Sequence, residues 1–308
     1  MYHPDPAEAR AYGDGISIPR RALTVHVAST PGEAEDLIPR AEILFAWGFP
    51  SALLARAPAL RWIQVMGAGV ERFLVPGLSP RVTVTRAVGI FGPWMAEYTL
   101  GWCLWVTQRM EHFRRLQAER AWRPVDPVRL GGGTLCVVGL GDIGREIARS
   151  ARALGMRAIG VSRTARRVRE ADAVYAPRAL PTALRQADWV VVTVPLSPAT
   201  RGLIGRRELG AMKPTAWLVN IARGPVVDEP ALLEALRTRK IGGAVLDVFD
   251  TEPLPADHPL WGLDNAVITP HISGPSTPGE ICPIFSDNLR RYLAGRPLRH
   301  VADRGRGY

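Results

Sequence analysis

Thr134-Leu-Cys-Val-Val-Gly139-Leu-Gly141-Asp-Ile-Gly144 is the stretch that decides the fold. An apolar run of strand type leads directly into Gly-x-Gly-x-x-Gly, after which Ile147, Ala148, Ala151 and Leu154 recur at helical spacing. In this strand–turn–helix setting each glycine has a separate task. Gly139 permits the tight turn, Gly141 lets the backbone approach a pyrophosphate, and Gly144 lets helix and strand pack closely. The helix N-terminus adds free N–H groups and partial positive charge. Gly139, Leu140, Gly141, Asp142, Ile143 and Gly144 are therefore candidate contacts for a dinucleotide.

Outward from this motif toward the C-terminus, β and α patterns alternate. Strands are predicted at 134–139, 158–162, 189–194, 216–221, 243–248 and 266–269, with helices at 142–154, 181–187 and 229–238. A closing helix is expected over about 276–294, capped by Gly295, with Pro283 kinking or delaying it. The second of these strands ends in Ser162-Arg163-Thr164-Ala-Arg166-Arg167. An acid about 20 residues past the glycines would bind the ribose hydroxyls of NAD. Here hydroxyls and guanidinium groups stand in its place, and a guanidinium fork suits a 2′-phosphate. The reading favours NADP(H), with NAD(H) possible.

Three later strands end in reactive side chains: Arg223 after 216–221, Asp247 at the end of 243–248 with Asp250 and Glu252 just beyond, and His271 after 266–269. Ligands of open parallel sheets lie beyond the strands' carboxyl ends, so these groups should converge beside a bound nicotinamide. Reduction of a 2-keto acid calls for this set. Arg223 can grip a carboxylate and polarise a ketone, His271 can donate a proton near neutral pH, and Glu252 can orient the imidazole and favour its charged form. Asp247 either hydrogen-bonds the cofactor or caps a loop.

The first third also alternates, with strands expected at Leu23–Val27, Ile43–Phe45, Trp62–Val65 and Val82–Val84 and helices near 33–39 and 51–57. A long helix, about Trp94–Ala118, is apolar around much of its circumference, which suits either a core helix or a subunit interface. The expected class is α/β with parallel sheets carrying helices on both faces. The net charge of +10 comes from 39 basic residues of which only Lys213 and Lys240 are lysines. They are spread along the chain without a basic block interleaved with aromatics, so no nucleic-acid partner is expected. No run approaches the roughly 20 apolar residues of a membrane span. Met1-Tyr-His-Pro-Asp-Pro lacks a secretory order, and Cys103, Cys136 and Cys282 lack metal spacing, which together read as cytoplasmic with buried thiols.

Several segments together resemble the D-isomer-specific 2-hydroxyacid dehydrogenases: Val138–Gly144, Val194-Pro-Leu196, Met212-Lys-Pro, Asn220-Ile-Ala-Arg-Gly224, Leu246–Pro253 and Thr269-Pro-His-Ile-Ser273. Trp62–Val70, Met95-Ala-Glu-Tyr98, Ala121-Trp-Arg-Pro124 and Pro259-Leu-Trp261 are most similar to the glyoxylate/hydroxypyruvate reductase A branch. The resemblance implies two doubly wound parallel-sheet domains, a discontinuous, flavodoxin-like substrate domain (1–98 and 275–308) and a Rossmann-type dinucleotide domain (99–274). It implies an active-site cleft, Arg223 on the substrate, and Glu252 with His271 as a proton relay. It implies substrate-carboxylate binding by backbone amides around Ala68 and Gly69, where small residues let an anion approach. It implies cofactor contacts from Asp142, Ile143, Ser162, Arg163, Thr164, Val194, Pro195, Leu196, Ile221, Ala222 and Asp247. Trp47 would line the pocket or belong to the core. A homodimer through the long helix is implied, with Trp122 reaching the partner's cleft. The competing readings are a dehydrogenase for a bulkier 2-keto acid, such as a phenylpyruvate, and a cofactor-sensing corepressor.

Overall fold

Short continuous apolar strands cannot be half-exposed and need cover on both faces, which a parallel sheet flanked by helices supplies. The computed structural model describes residues 1–17 and 23–307, and its elements follow that rule. The chain passes through α1 (Pro6–Asp14), α2 (Pro31–Leu37), β1 (Ile43–Ala46), β2 (Trp62–Val65) and β3 (Thr83–Thr85). It continues through α3 (Phe91–Thr107), α4 (Met110–Ala118), β4 (Thr134–Val138), α5 (Asp142–Ala153), β5 (Arg157–Val161) and β6 (Ala173–Tyr175). Then come α6 (Leu180–Leu184), β7 (Trp189–Val192), α7 (Arg206–Ala211), β8 (Trp217–Asn220), α8 (Glu229–Arg237), β9 (Gly243–Leu246), β10 (Ala266–Ile268) and α9 (Pro278–Leu293). Two compact units emerge: residues Met1–Ile90 with Ser276–Tyr308, and Phe91–Pro275.

In the second unit the described strands form one parallel sheet in the order β10-β9-β8-β7-β4-β5-β6. Numbered from β4, this is the 3-2-1-4-5-6 order of a dinucleotide fold with one further strand. Cys136, Ile159, Val190, Leu218 and Ala244 are fully buried along its centre. In the first unit β1, β2 and β3 are parallel neighbours in that order. Tyr2 bridges both Ala28 and Ala46, so the lanes, numbered along the chain, lie 2-1-3-4-5, the flavodoxin-like order. The returning helix α9 supplies Phe285, which stacks on Phe45 at 4.3 Å and on Trp62 at 5.2 Å.

Several expectations need correcting. Leu23–Val27 is not a strand: Val25 and Val27 are 46% and 42% exposed. The inner lane belongs to Tyr2, whose N–H donates to the Phe45 carbonyl (2.9 Å) and whose carbonyl accepts from Trp47 N–H (3.0 Å). Residues 20–22, at the start of that predicted βα region, lie outside the described residues. The predicted helix Trp94–Ala118 starts earlier and is two helices. It breaks at Arg109, which is left-handed (φ 56°), where Val128 N–H takes the Thr107 carbonyl at 2.8 Å. The 51–57 segment is a 3₁₀ helix, Ser51–Arg56. Strand β3 is displaced by one residue from Val82–Val84. The short elements β6 and α7 carry too little periodicity to be read. Pro283 does not delay α9, which starts at Pro278 and runs through it. The three cysteines are buried and unpaired. Burial pushes the Cys136 thiol up to about 12 and Cys282 to about 11, so neither is a reactive thiolate.

Candidate active site

Sheet register assembles the site. Ile268 pairs with Leu246, Leu246 with Asn220, Asn220 with Val192, Val192 with Val138, and Val138 with Val161. These residues form one line across the sheet. In the five inner strands and β10 they are the last residue, so the following segments all leave from the same edge. With strands about 4.8 Å apart, the exits of β8 and β10 are only about 10 Å from each other. Arg223, Glu252 and His271 are far apart in the chain, and this register brings them to one place.

The glycine-rich turn occupies the point where the strand order reverses, between β4 and β7. Gly139 has φ 112°, a conformation that suits glycine, and a Cβ there would stand 2.9 Å from Thr193 Oγ1 and Val194 Cγ1. At Gly144 a Cβ would lie 1.9 Å from the Gly139 carbonyl oxygen, so only glycine lets α5 pack on the turn. Gly141, at the N-cap of α5, faces open space: a Cβ would meet nothing within 4 Å. Two closed glycines beside one open one make a cradle with room for a phosphate, so the turn fits a dinucleotide. Leu140 is buried against Gly160, while Asp142 is exposed and Ile143 half-buried in the first turn of α5. Thr193, which sequence reading missed, donates its hydroxyl to the Gly139 carbonyl at 2.6 Å and ties the β7 exit to the turn. Val194 and Leu196 are half-buried and Pro195 exposed along that exit, where Thr200 Oγ1 donates to the Pro195 carbonyl at 2.6 Å. After β5, Ser162 N–H donates to the Tyr175 carbonyl (3.0 Å), and Arg163 and Thr164 are exposed with no acid among residues 162–169.

The candidate reacting groups follow β8, β9 and β10. Asn220, only 2% exposed, donates from Nδ2 to the Arg223 carbonyl (3.1 Å) and accepts Ala222 N–H on Oδ1 (3.2 Å). It thereby folds the turn that presents Arg223, with Ile221 and Ala222 buried beneath. Its signal was a polar residue closing an apolar strand. The Arg223 guanidinium donates to the Ala222 carbonyl at 2.6 Å. Glu252 accepts Phe249 N–H on Oε1 (3.0 Å) and meets His271 Nδ1 with Oε2 at 2.9 Å. Burial alone would raise the Glu252 carboxyl. The hydrogen bonds from His271 and Phe249, with the positive charges of His271 and Arg223, outweigh it and hold the group below its ordinary value. A carboxylate only accepts, so the Nδ1 position carries the proton and Nε2 is left to exchange one.

His271 adopts φ 55°, a left-handed conformation costing about 1–2 kcal/mol outside glycine. Asp247 offsets that cost. Its carbonyl accepts His271 N–H (2.9 Å), and its fully buried carboxylate accepts the Thr269 hydroxyl (2.5 Å), Ile272 N–H (2.8 Å) and Ser273 N–H (2.9 Å). Of its two readings the loop cap is the one these bonds describe.

The remaining predicted site residues belong to the first unit. Met66–Gly69 follows β2, and Ala68 and Gly69 are half-buried in that turn. Trp47, 38% exposed, lies over Gly67 so closely that a Cβ there would sit 2.6 Å from its ring. Trp47 is thus a surface-facing aromatic, not a core one. Among the described residues no group of three or more His, Cys, Asp or Glu could hold a metal, and no helix is long and apolar enough to cross a membrane.

Residues 100–273 match the sequence model of the family described as D-isomer specific 2-hydroxyacid dehydrogenase, NAD binding domain. The chain is 35% identical to a glyoxylate reductase of Aeropyrum pernix over 264 residues, covering 82% of this chain and 79% of that one. It is 31% identical to glyoxylate/hydroxypyruvate reductase A of Photorhabdus laumondii over 275 residues, covering 87% and 88%. In structure it is similar to an NADPH-dependent glyoxylate/hydroxypyruvate reductase of Sinorhizobium meliloti solved with NADP and sulfate. The TM-score there is 0.91, with 28% identity over 100% of this chain and 98% of that one. The chain belongs to the D-isomer-specific 2-hydroxyacid dehydrogenases and is an NAD(P)-dependent enzyme of that family, near the glyoxylate/hydroxypyruvate reductase A branch.

Proposed function

We propose that this dehydrogenase reduces a small 2-keto acid, glyoxylate or hydroxypyruvate, with NADPH. The observation that carries the reading is the His271 Nδ1–Glu252 Oε2 contact of 2.9 Å, at a carboxylate that also feels the charge of Arg223. When bound, the reduced nicotinamide supplies the hydride that the keto carbon accepts. The rest is work for side chains. Arg223 holds the substrate carboxylate and draws electron density from the keto oxygen. His271, fixed through Nδ1, delivers its proton from Nε2 to the developing alkoxide. Glu252 keeps the imidazole oriented through its contact with Nδ1. In the oxidative direction neutral His271 is the base.

Backbone amides at Ala68 and Gly69 add to the grip on the carboxylate, with Trp47 on the substrate side. Gly139, Gly141 and Gly144 hold the pyrophosphate, with Leu140, Asp142, Ile143, Val194, Pro195, Leu196, Ile221 and Ala222 around the cofactor. Ser162, Arg163 and Thr164 receive the 2′-phosphate, because a guanidinium and two hydroxyls complement a dianion where an acid would repel it. The enzyme works in the cytoplasm as a homodimer. In support, the α4 region exposes Met110, Phe113, Val128 and Trp122, the last at 98%.

A steady-state panel of glyoxylate, hydroxypyruvate, pyruvate and phenylpyruvate with each cofactor tests the reading. Glyoxylate or hydroxypyruvate with NADPH should give the highest kcat/KM, and Arg163→Asp should weaken NADPH use alone. Equal use of both cofactors by the wild type refutes the NADP assignment. An unaltered turnover in Arg223→Ala refutes the assignment of Arg223 to the substrate.

A further inference from the structure

The turn that carries His271 is tied to helix α3 by a chain of hydroxyls ending on Asp247. Tyr98 Oη lies 2.6 Å from Thr269 Oγ1, and Thr269 Oγ1 lies 2.5 Å from Asp247 Oδ1. The direction of the protons follows from chemistry. The Asp247 carboxylate can only accept, so the single Thr269 hydrogen goes to it, and Thr269 must accept from Tyr98. Burial pushes the Tyr98 phenol up, which keeps it a donor. The same Asp247 oxygen accepts Ile272 N–H at 2.8 Å, and its partner oxygen accepts Ser273 N–H at 2.9 Å. A second, separate contact joins the same two elements: at Gly274 a Cβ would meet Met95 Cγ at 3.1 Å and Phe91 Cδ1 at 3.4 Å, so the turn lies directly on α3.

We propose that Tyr98 is a positioning residue for proton transfer: through Thr269 and Asp247, its hydroxyl holds the left-handed His271 turn in the register where the imidazole meets Glu252. The inference rests on the reading of His271 as proton donor. Tyr98 touches neither imidazole nor carboxylate of the relay itself. Its contribution is to restrain the Thr269 hydroxyl, so that the Asp247 carboxylate keeps its three donors and the strained turn cannot relax. Loss of one bond in such a chain loosens the groups behind it.

The test uses Tyr98→Phe, Thr269→Ser, Thr269→Val and the Tyr98→Phe/Thr269→Val double variant in the intact enzyme. Amide hydrogen exchange over residues 269–275 is followed alongside kcat and KM. Tyr98→Phe should speed exchange in that segment roughly tenfold, as expected for one lost hydrogen bond, and lower kcat by about the same factor with the KM for NADPH within about twofold. Thr269→Ser, which keeps the hydroxyl, should behave as wild type. The double variant should be no worse than Thr269→Val alone, since both cut one chain. Unchanged exchange at 269–275 in Tyr98→Phe overturns the proposal, as does faster exchange spread evenly over Phe91–Pro275. If the wild type reduces no 2-keto acid while exchange still responds locally, the catalytic reading fails and the tether stands. If turnover is present and neither readout moves, the tether fails and the catalytic reading stands.

Discussion

Gly224 offers the sharpest test of how the catalytic segments are spaced. It follows Arg223 and lies against the backbone that leads to Glu252. A Cβ at this position would stand 2.0 Å from the Phe249 carbonyl carbon and 2.3 Å from both the Phe249 oxygen and the Asp250 nitrogen. Ordinary contact begins at 3.4 Å, so Gly224→Ala requires the β8 and β9 exits to part by up to 1.4 Å. All three opposing atoms are backbone, so no rotamer change relieves the clash. The shift separates Arg223 from the Phe249–Glu252 segment, whose Phe249 N–H orients Glu252 at 3.0 Å. A displacement of about 1 Å at reacting groups costs roughly 10²-fold in rate, or about 2.7 kcal/mol of transition-state stabilisation. The overpacking itself should lower stability by about 1–3 kcal/mol. Steady-state NADPH oxidation with glyoxylate and thermal unfolding by circular dichroism measure the two effects. Gly210→Ala, in α7 with nothing within 4 Å, is the control and should raise stability by about 0.5–1 kcal/mol with kcat unchanged. A Gly224→Ala enzyme with kcat within about twofold of wild type would refute the claim that this spacing governs catalysis.

Gly141→Ala should leave the melting temperature unchanged, because its Cβ meets nothing, yet weaken NADPH binding roughly tenfold or more by occupying the phosphate's space; fluorescence titration reads this, and normal affinity would remove Gly141 from the cradle. Thr85 accepts the Trp62 indole N–H at 2.8 Å and donates to Gln64 Oε1 at 2.8 Å, all fully buried. Thr85→Val should therefore cost about 1–3 kcal/mol in urea unfolding, and Thr85→Ser much less. Glu252 is held below its ordinary 4.5 by its donors, so it contributes stability above about pH 4.5 that is lost as pH falls through the folded value. Glu252→Gln should flatten the fall in melting temperature below pH 4.5; an unaltered acid limb would show that those donors do not act on Glu252 as described.

How much of this was legible depended on whether a signal was local. The glycine turn, the β4–α5 transition and the central strands announce themselves within a dozen residues, and the structure has them within one or two positions. The reactive types at the ends of β8, β9 and β10 were readable for the same reason. Tyr2 was not, because one residue has no period, and only its bonds to Phe45 and Trp47 make it a lane of the sheet. The break at Arg109 was equally hidden: no glycine or proline marks it, and the helix ends there because Val128, distant in the chain, arrives to take the Thr107 carbonyl.

By itself the sequence determined the strand and helix types, the glycine turn and the candidate reacting groups, since these follow from local periodicity and from what each side chain can donate or accept. Only the tertiary structure decided which of them meet. Register aligned Ile268, Leu246, Asn220, Val192 and Val138 on one edge and brought His271 to Glu252. Enclosure made Asp247 the cap of the strained turn that carries His271. Partners distant in the chain are chosen by packing, and packing is a property of the whole fold and not of any window along it.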